Sequence, residues 1–224
     1  MNVGIFLFII IAIAGMIVQA RLDSVFRKYS KVTFPGFLTG KDVAEKMLRD
    51  NGIRDVQVTS VRGRLTDHYN PVKKTLNLSE SVYGSTSVAA AAVAAHECGH
   101  AVQHAEGYAW LKMRSALVPI VNFSSMFAQI VLVIGIFLLN IFPPLFWIGI
   151  GMFAMVLLFS IITLPVEYNA SRRALVWLQA SNTLRPAELE QAKETLTWAA
   201  RTYLVAALSA LATLIYYLGF ARRD

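Results

Sequence analysis

Four long apolar stretches dominate the hydrophobic pattern of this chain. They run from Val3 to Ala20, from Ala116 to Asn140, from Phe142 to Pro165 and from Thr202 to Phe220. Each is close to the ~20 residues that a helix needs to cross the hydrocarbon core of a bilayer. Only a short segment containing Pro143-Pro144 separates the second and third stretches, and paired prolines cannot continue a helix. We therefore predict four transmembrane helices, the middle two joined as a hairpin.

The polar region between the first two apolar stretches shows shorter periodicities. Helical spacing of apolar residues and a stop signal predict a helix over residues 39–51. Strict alternation predicts strands at 55–58 and 75–78. Ser87 is expected to cap a long alanine-rich helix that continues to Ala105. This region is thus expected to contain a small sheet and one central helix.

The composition indicates a membrane protein with one small polar domain. Mean hydropathy is +0.52 and 16% of the residues are charged, against about 25% in typical globular chains. The net charge of +7 is what basic residues at the cytoplasmic ends of membrane helices produce. The sequence contains no basic patch with interleaved aromatic residues, so nothing in it indicates nucleic acid as a partner. The predicted fold class is a mostly helical α+β membrane protein.

The first apolar stretch has two interpretations, a cleaved signal peptide or a retained membrane anchor. Residues 18–20 (Val-Gln-Ala) resemble a cleavage site with small residues. Against cleavage, the chain begins without basic residues, and positive charges follow the stretch at Arg21, Arg27, Lys28 and Lys31. We therefore favour an anchor whose N-terminus lies outside.

The basic residues also predict the orientation of the polar parts. Segments 21–115 and 167–201 carry basic flanks such as Lys112–Arg114 and Arg172-Arg173, so both are expected in the cytoplasm. Arg222-Arg223 argue weakly in the other direction, because four spans would place this tail outside.

The sequence His96-Glu97-Cys98-Gly99-His100 lies on the predicted central helix. Residues four apart share one helix face, so both imidazoles can reach one zinc ion at about 2.0–2.1 Å. Glu97 is then placed to act as general base on a water activated by the metal. The alternative is a helix with two surface histidines and a solvated glutamate. The apolar run Val88–Ala95 favours the metal site, because it predicts a buried helix whose polar groups need partners.

The third ligand of a catalytic zinc site must come from elsewhere, because such sites usually combine three protein ligands with one open position. Glu167 follows an even number of predicted crossings, which return the chain to the side that carries His96. It is either the third ligand or a solvated carboxylate at a helix start. His104 is the rival ligand, but it lies one more turn, about 6 Å, along the helix axis.

Three segments of the chain resemble the YugP-like neutral zinc metallopeptidases of bacteria. These segments are Leu65–Tyr69, Ala94–Gln103 and Glu167–Ala174. The chain is more distantly similar to the HtpX and CAAX prenyl protease group. In that group a glutamate after a membrane hairpin is the third zinc ligand, which the resemblance implies for Glu167. The group usually has an aspartate four residues after this glutamate, which supports a ligand histidine by its charge. This chain has Ser171 there, so Asn169 or a main-chain carbonyl is expected to take over that contact.

The resemblance implies one Zn²⁺ per chain, bound by His96, His100 and Glu167 in a zincin-like (gluzincin) fold. The apolar stretches and the motif predict an anchor at 1–20, a zincin-like catalytic domain with the metal-binding helix at 21–115, a transmembrane hairpin at 116–166, a segment that completes the active site at 167–201 and a C-terminal transmembrane helix at 202–224.

Two further site predictions come from the polar region. His68 is either a turn residue or a group that supports the ligands or stabilises an oxyanion. The strand Thr75, Leu76, Asn77 and Leu78 is expected to border the cleft with a free edge on which an extended substrate pairs. Its alternative is an interior strand of the sheet.

These features predict a zinc-dependent endopeptidase in the bacterial plasma membrane, with its catalytic domain in the cytoplasm. The expected partners are the lipid bilayer and a protein or peptide substrate in or near the membrane. The main alternative is a catalytically inactive, zinc-stabilised membrane scaffold, which would need a fourth protein ligand. Intramembrane proteolysis of the site-two type is disfavoured, because the two-histidine motif precedes the hairpin and no late aspartate ligand is present.

Overall fold

The computed structural model describes the backbone of residues 3–220 and the side chains of residues 6–220. Within that range the chain forms α1 (Val3–Tyr29), α2 (Gly40–Asp50), β1 (Gln57–Val61), β2 (His68–Asn70), β3 (Thr75–Ser79), α3 (Glu80–Tyr83), α4 (Val88–Ala105), α5 (Ala109–Phe137), α6 (Pro143–Ala180) and α7 (Pro186–Leu218). The predicted fold class is confirmed, because long helices predominate and one small sheet accompanies them.

Four of these helices, α1, α5, α6 and α7, are long and apolar enough to cross a membrane. The break between α5 and α6 falls at residues 138–142, and α6 begins at Pro143. The third apolar stretch ends at Pro165, but helix α6 continues through this proline to Ala180. A proline inside a helix removes one backbone donor, and such a loss is tolerated where the surrounding structure compensates for it.

The described chain divides into two compact units. One contains the residues up to Val18, Lys112–Pro165 and the residues from Thr202 onward. The other, here called the polar unit, contains Gln19–Leu111 and Val166–Arg201. The polar unit therefore holds the sheet, α2, α3, α4 and the second half of α6.

Helix α4 forms the centre of the polar unit. Ser87 caps it as predicted, because its hydroxyl accepts from the Ala90 N–H. The alanines of the following two turns are buried, and small side chains let neighbouring helices approach closely. Helix α2, which starts with the predicted cap at Thr39, packs against α4. Cys98 is buried at this contact and its thiol donates to the Ala44 carbonyl at 3.4 Å.

The three strands are ordered β1-β3-β2, with β1 parallel and β2 antiparallel to β3. The strand Thr75, Leu76, Asn77 and Leu78 is therefore the central one, and the prediction that it offers a free edge is wrong. Alternation along a sequence indicates a strand but not its neighbours, which depend on how the chain crosses over. The predicted strand at 55–58 begins two residues later, and residues 68–70, which include His68, form a strand.

Candidate metal centre

Helices α4 and α6 bring together the three predicted ligands. His96 and His100 lie one turn apart on α4, with ring centroids 4.9 Å apart and the rings nearly perpendicular. From α6, the Glu167 carboxylate places Oε2 3.3 Å from His96 Nε2 and 3.6 Å from His100 Nε2. One ligand atom from each residue lies within 4.8 Å of the others. Helix α6 is continuous here, so Glu167 lies inside a helix and not at a helix start.

The two helices come this close because Gly99 has no side chain. A Cβ at Gly99 would lie 2.6 Å from the Ala170 carbonyl oxygen and 3.0 Å from Ala170 Cα. Ala170 follows Glu167 by three residues, so both lie on the α6 face that meets α4. The backbone contact at Gly99 thus sets the distance from which Glu167 reaches the histidines.

Each ligand histidine has a hydrogen-bond partner behind it. His96 Nδ1 is 3.0 Å from the Ser171 hydroxyl oxygen, one turn after Glu167 on α6. Ser171 thus contacts a predicted ligand histidine directly. His100 Nδ1 is 3.0 Å from Oε1 of Gln103, which is fully buried on α4.

The orientation of Gln103 decides which nitrogen of His100 carries a hydrogen. The Gln103 amide nitrogen donates to the Val166 carbonyl at 2.8 Å, so its oxygen faces His100. A carboxamide oxygen can only accept, which makes His100 Nδ1 the donor and leaves a lone pair on Nε2. In the neutral ring that lone pair faces the Glu167 carboxylate, so the two groups favour a cation between them, either a metal ion or a proton on Nε2.

The donor set matches that of a catalytic zinc site. Two imidazole nitrogens and one carboxylate oxygen are typical ligands for zinc with an open fourth position. Burial lowers the pKa of His100, but the Glu167 carboxylate outweighs this and raises the pKa overall, so the site attracts positive charge. The residues present therefore fit a zinc ion.

Glu97 is the buried acid next to the first ligand. It is 8% exposed on α4. Burial raises the pKa of this carboxyl group, and the histidines His96 and His100 oppose the shift. A carboxylate in such a position has the chemistry to take a proton from a nearby water.

Two other predicted histidines lie outside the ligand cluster. His68 Nδ1 is 2.8 Å from the Thr66 carbonyl and its Nε2 is 3.1 Å from the Asn77 amide nitrogen, so both ring nitrogens are engaged beside the sheet. His104 is exposed, and its Nδ1 is 2.9 Å from the Tyr69 hydroxyl. His104 is absent from the cluster of ligand atoms among the described residues.

Sequence reasoning missed Gln103 and misjudged how Asn169 acts. Asn169 Oδ1 accepts from the Gln103 amide nitrogen at 2.9 Å, so Asn169 is linked to His100 through Gln103 and does not bond a predicted ligand directly among the described contacts. The available signal was the position of Gln103 three residues after His100, which places a polar group on a buried helix face beside a ligand.

Comparison with known proteins identifies the family. Residues 4–222 match the family described as "Putative neutral zinc metallopeptidase". A protein of Bacillus subtilis (strain 168), described as "Putative membrane protease YugP", is 40% identical over 215 residues, which are 95% of each chain. No solved structure matches the chain. With its two-histidine helix, its glutamate on α6 and its four apolar helices, this chain belongs to the neutral zinc metallopeptidase family.

Proposed function

We propose that this protein is a membrane-embedded zinc endopeptidase that cleaves peptide bonds of membrane or membrane-proximal proteins. The observation that carries the proposal is the convergence of two histidine Nε2 atoms on one buried carboxylate oxygen, beside a buried glutamate. We further propose one zinc ion per chain, held by His96, His100 and Glu167.

The roles of the residues follow from their placement. A zinc ion at this site would lower the pKa of a water in its open position towards ~7. The Glu97 carboxylate takes a proton from the attacking water and later gives it to the leaving amine. Ser171 and Gln103 hold the imidazoles of His96 and His100 with their Nε2 atoms facing Glu167.

The proposal also covers location. Basic residues flank the polar unit on both of its segments, which favours the cytoplasmic side of a bacterial plasma membrane for the metal site. Substrates would then be cytoplasmic segments of membrane proteins or proteins held near the inner surface.

Substitution of Glu97 and of the ligands tests the proposal. Purified Glu97→Gln should retain one zinc per chain. Its rate of cleavage of a quenched fluorescent casein should be about 10²–10⁴-fold lower, because an amide cannot take the proton from the attacking water. His96→Ala and Glu167→Ala should lose both zinc and activity. His104→Ala is the matched control and should retain zinc, because this histidine lies outside the cluster.

Three results would each count against part of the proposal. Cleavage by Glu97→Gln at the wild-type rate would remove Glu97 from the chemistry. Full zinc content in Glu167→Ala would remove Glu167 from the metal site. A zinc-loaded wild-type protein that cleaves no protein or peptide in a broad substrate screen would favour the scaffold alternative.

A further inference from the structure

A network of hydrogen-bonded polar side chains leads from His100 to the protein surface. Gln103 bonds His100 from behind and passes its amide hydrogens to the Val166 carbonyl and to Asn169. Asn169 Oδ1 also accepts from Arg173 Nε at 2.7 Å. The same guanidinium forms a two-point contact with the Glu106 carboxylate at 2.9 and 2.6 Å.

Each hydrogen bond of this network has a defined donor and acceptor. A guanidinium carries only donors, so Arg173 must face the oxygen of Asn169 and not its amide nitrogen. With that oxygen fixed as an acceptor, Gln103 must present its amide nitrogen to Asn169. The carbonyl end of Gln103 then faces His100 Nδ1 and requires a hydrogen there.

We propose that Gln103 is a positioning residue that holds His100 in the ring form with a free Nε2 lone pair, and that Asn169 and Arg173 set the orientation of Gln103. This inference rests on the proposed metal site, because a free lone pair at Nε2 matters only if His100 binds a cation. Arg173, three-quarters buried as a side chain, thus acts on a ligand that it does not touch. Glu106 anchors it at the C-terminal cap of α4, the helix that carries His100.

The network can hold His100 in one orientation because every other orientation of the Gln103 amide would lose hydrogen bonds. If Gln103 turned over, its amide nitrogen would face the Nδ1 hydrogen of His100, and its oxygen would face the Val166 carbonyl. Buried polar groups without partners are costly, so the network favours one arrangement. Partners behind metal-binding histidines typically contribute 10–100-fold to metal affinity or activity.

Zinc affinity, measured by competition with a fluorescent chelator, tests the inference without requiring a substrate. Gln103→Met keeps the side-chain volume but lacks the acceptor, so it should bind zinc about 10–100-fold more weakly. Gln103→Glu keeps an acceptor for His100 Nδ1 but places its second oxygen against the Val166 and Asn169 oxygens, so it should also bind zinc more weakly than wild type. Arg173→Leu should weaken binding by about tenfold, the lower end of that range. Arg172→Leu is the matched control, because among the described contacts Asn169 bonds Arg173 and not this neighbouring arginine.

A rescue variant separates orientation from general stability. Asn169→Asp presents an acceptor oxygen whichever way the group turns, so Gln103 no longer depends on Arg173. The double variant Asn169→Asp/Arg173→Leu should therefore recover most of the affinity lost in Arg173→Leu. A double variant as weak as Arg173→Leu alone, or wild-type affinity in Gln103→Met, would overturn the inference.

The failure of this inference is distinguishable from failure of the metal site. His100→Ala in the same assay should lose zinc binding. If His100→Ala loses zinc while Gln103→Met and Arg173→Leu do not, only the positioning chain is refuted. If His100→Ala also binds zinc normally, the proposed metal site itself is wrong.

Discussion

The contact between Gly99 and Ala170 gives a quantitative prediction for a single added methyl group. In Gly99→Ala the new Cβ would lie 2.6 Å from the Ala170 carbonyl oxygen, whereas ordinary contact begins at 3.4 Å. Helices α4 and α6 must then separate by about 0.8 Å at this point. Zinc–ligand distances tolerate only about ±0.2 Å, so the shift should pull Glu167 away from the histidines.

Two opposing terms determine the stability of the metal-free variant. Replacing glycine by alanine inside a helix is favourable by about 0.8–1.0 kcal/mol. Overpacking a close contact typically costs about 1–3 kcal/mol. The metal-free Gly99→Ala protein should therefore range from nearly neutral to about 2 kcal/mol less stable.

The response to zinc separates the site effect from this small net change. At a zinc concentration of 100 times the wild-type Kd, binding stabilises the wild-type protein by about 2.7 kcal/mol. If the affinity falls 100-fold, the same zinc concentration stabilises the variant by only about 0.4 kcal/mol. Thermal unfolding with and without zinc should therefore show a large Tm increase in the wild type and little in Gly99→Ala.

Gly151→Ala is the matched control for this measurement. Gly151 is also inside a helix, but a Cβ there meets no atom within 4 Å. This variant should keep the full response to zinc and gain a little stability from its helix propensity. If Gly99→Ala instead responds to zinc like the wild type, the backbone contact does not set the ligand geometry and the reasoning is refuted.

Two further predictions concern the cap of α2 and the orientation of the polar unit. The Thr39 side chain and backbone hydrogen bonds lower the pKa of Asp42, so their contribution to stability is present above the unfolded pKa near 3.8 and is lost as pH falls through the lower folded value. Thr39→Ala should cost about 1 kcal/mol in chemical unfolding at pH 7. This cost should decrease as pH falls below the unfolded pKa, and a cost that does not change with pH would contradict the linkage. In intact cells carrying a Cys98→Ser background, a membrane-impermeant thiol reagent should label cysteine substituted for Ile141 in the hairpin turn but not for Ser81, and the reverse pattern would place the metal site outside.

The parts of the site that local sequence determines were predictable. His96 and His100 share a face because of helical spacing alone, and a buried alanine-rich run identified the helix. Glu167 required a long-range argument, which the parity of membrane crossings and the family resemblance supplied. The alternative interpretation of Glu167 as a solvated carboxylate at a helix start is wrong, because α6 continues through Pro165 and Glu167 is buried within it.

The parts that depend on tertiary contacts were not predictable from one sequence. Strand β3 was expected to have a free edge, but it lies between β1 and β2. Alternation of apolar and polar residues predicts a strand but not which strands lie beside it. The polar chain through Gln103, Asn169 and Arg173 joins residues from two helices, so no spacing rule reveals it. Gly99 looked like a motif position, and only the approach of Ala170 shows why a side chain is excluded there.

The position of Cys98 provides a built-in reporter of how often the metal-binding helix opens. It is the single cysteine of the chain, it lies between His96 and His100 on α4, and it is fully buried. Burial raises the pKa of its thiol, and only the thiolate reacts with alkylating reagents. Alkylation therefore waits for α4 to leave α2, so its rate measures the free energy of that local opening. The alkylation rate of Cys98 therefore reports local opening of the metal-binding helix without any substitution in the chain.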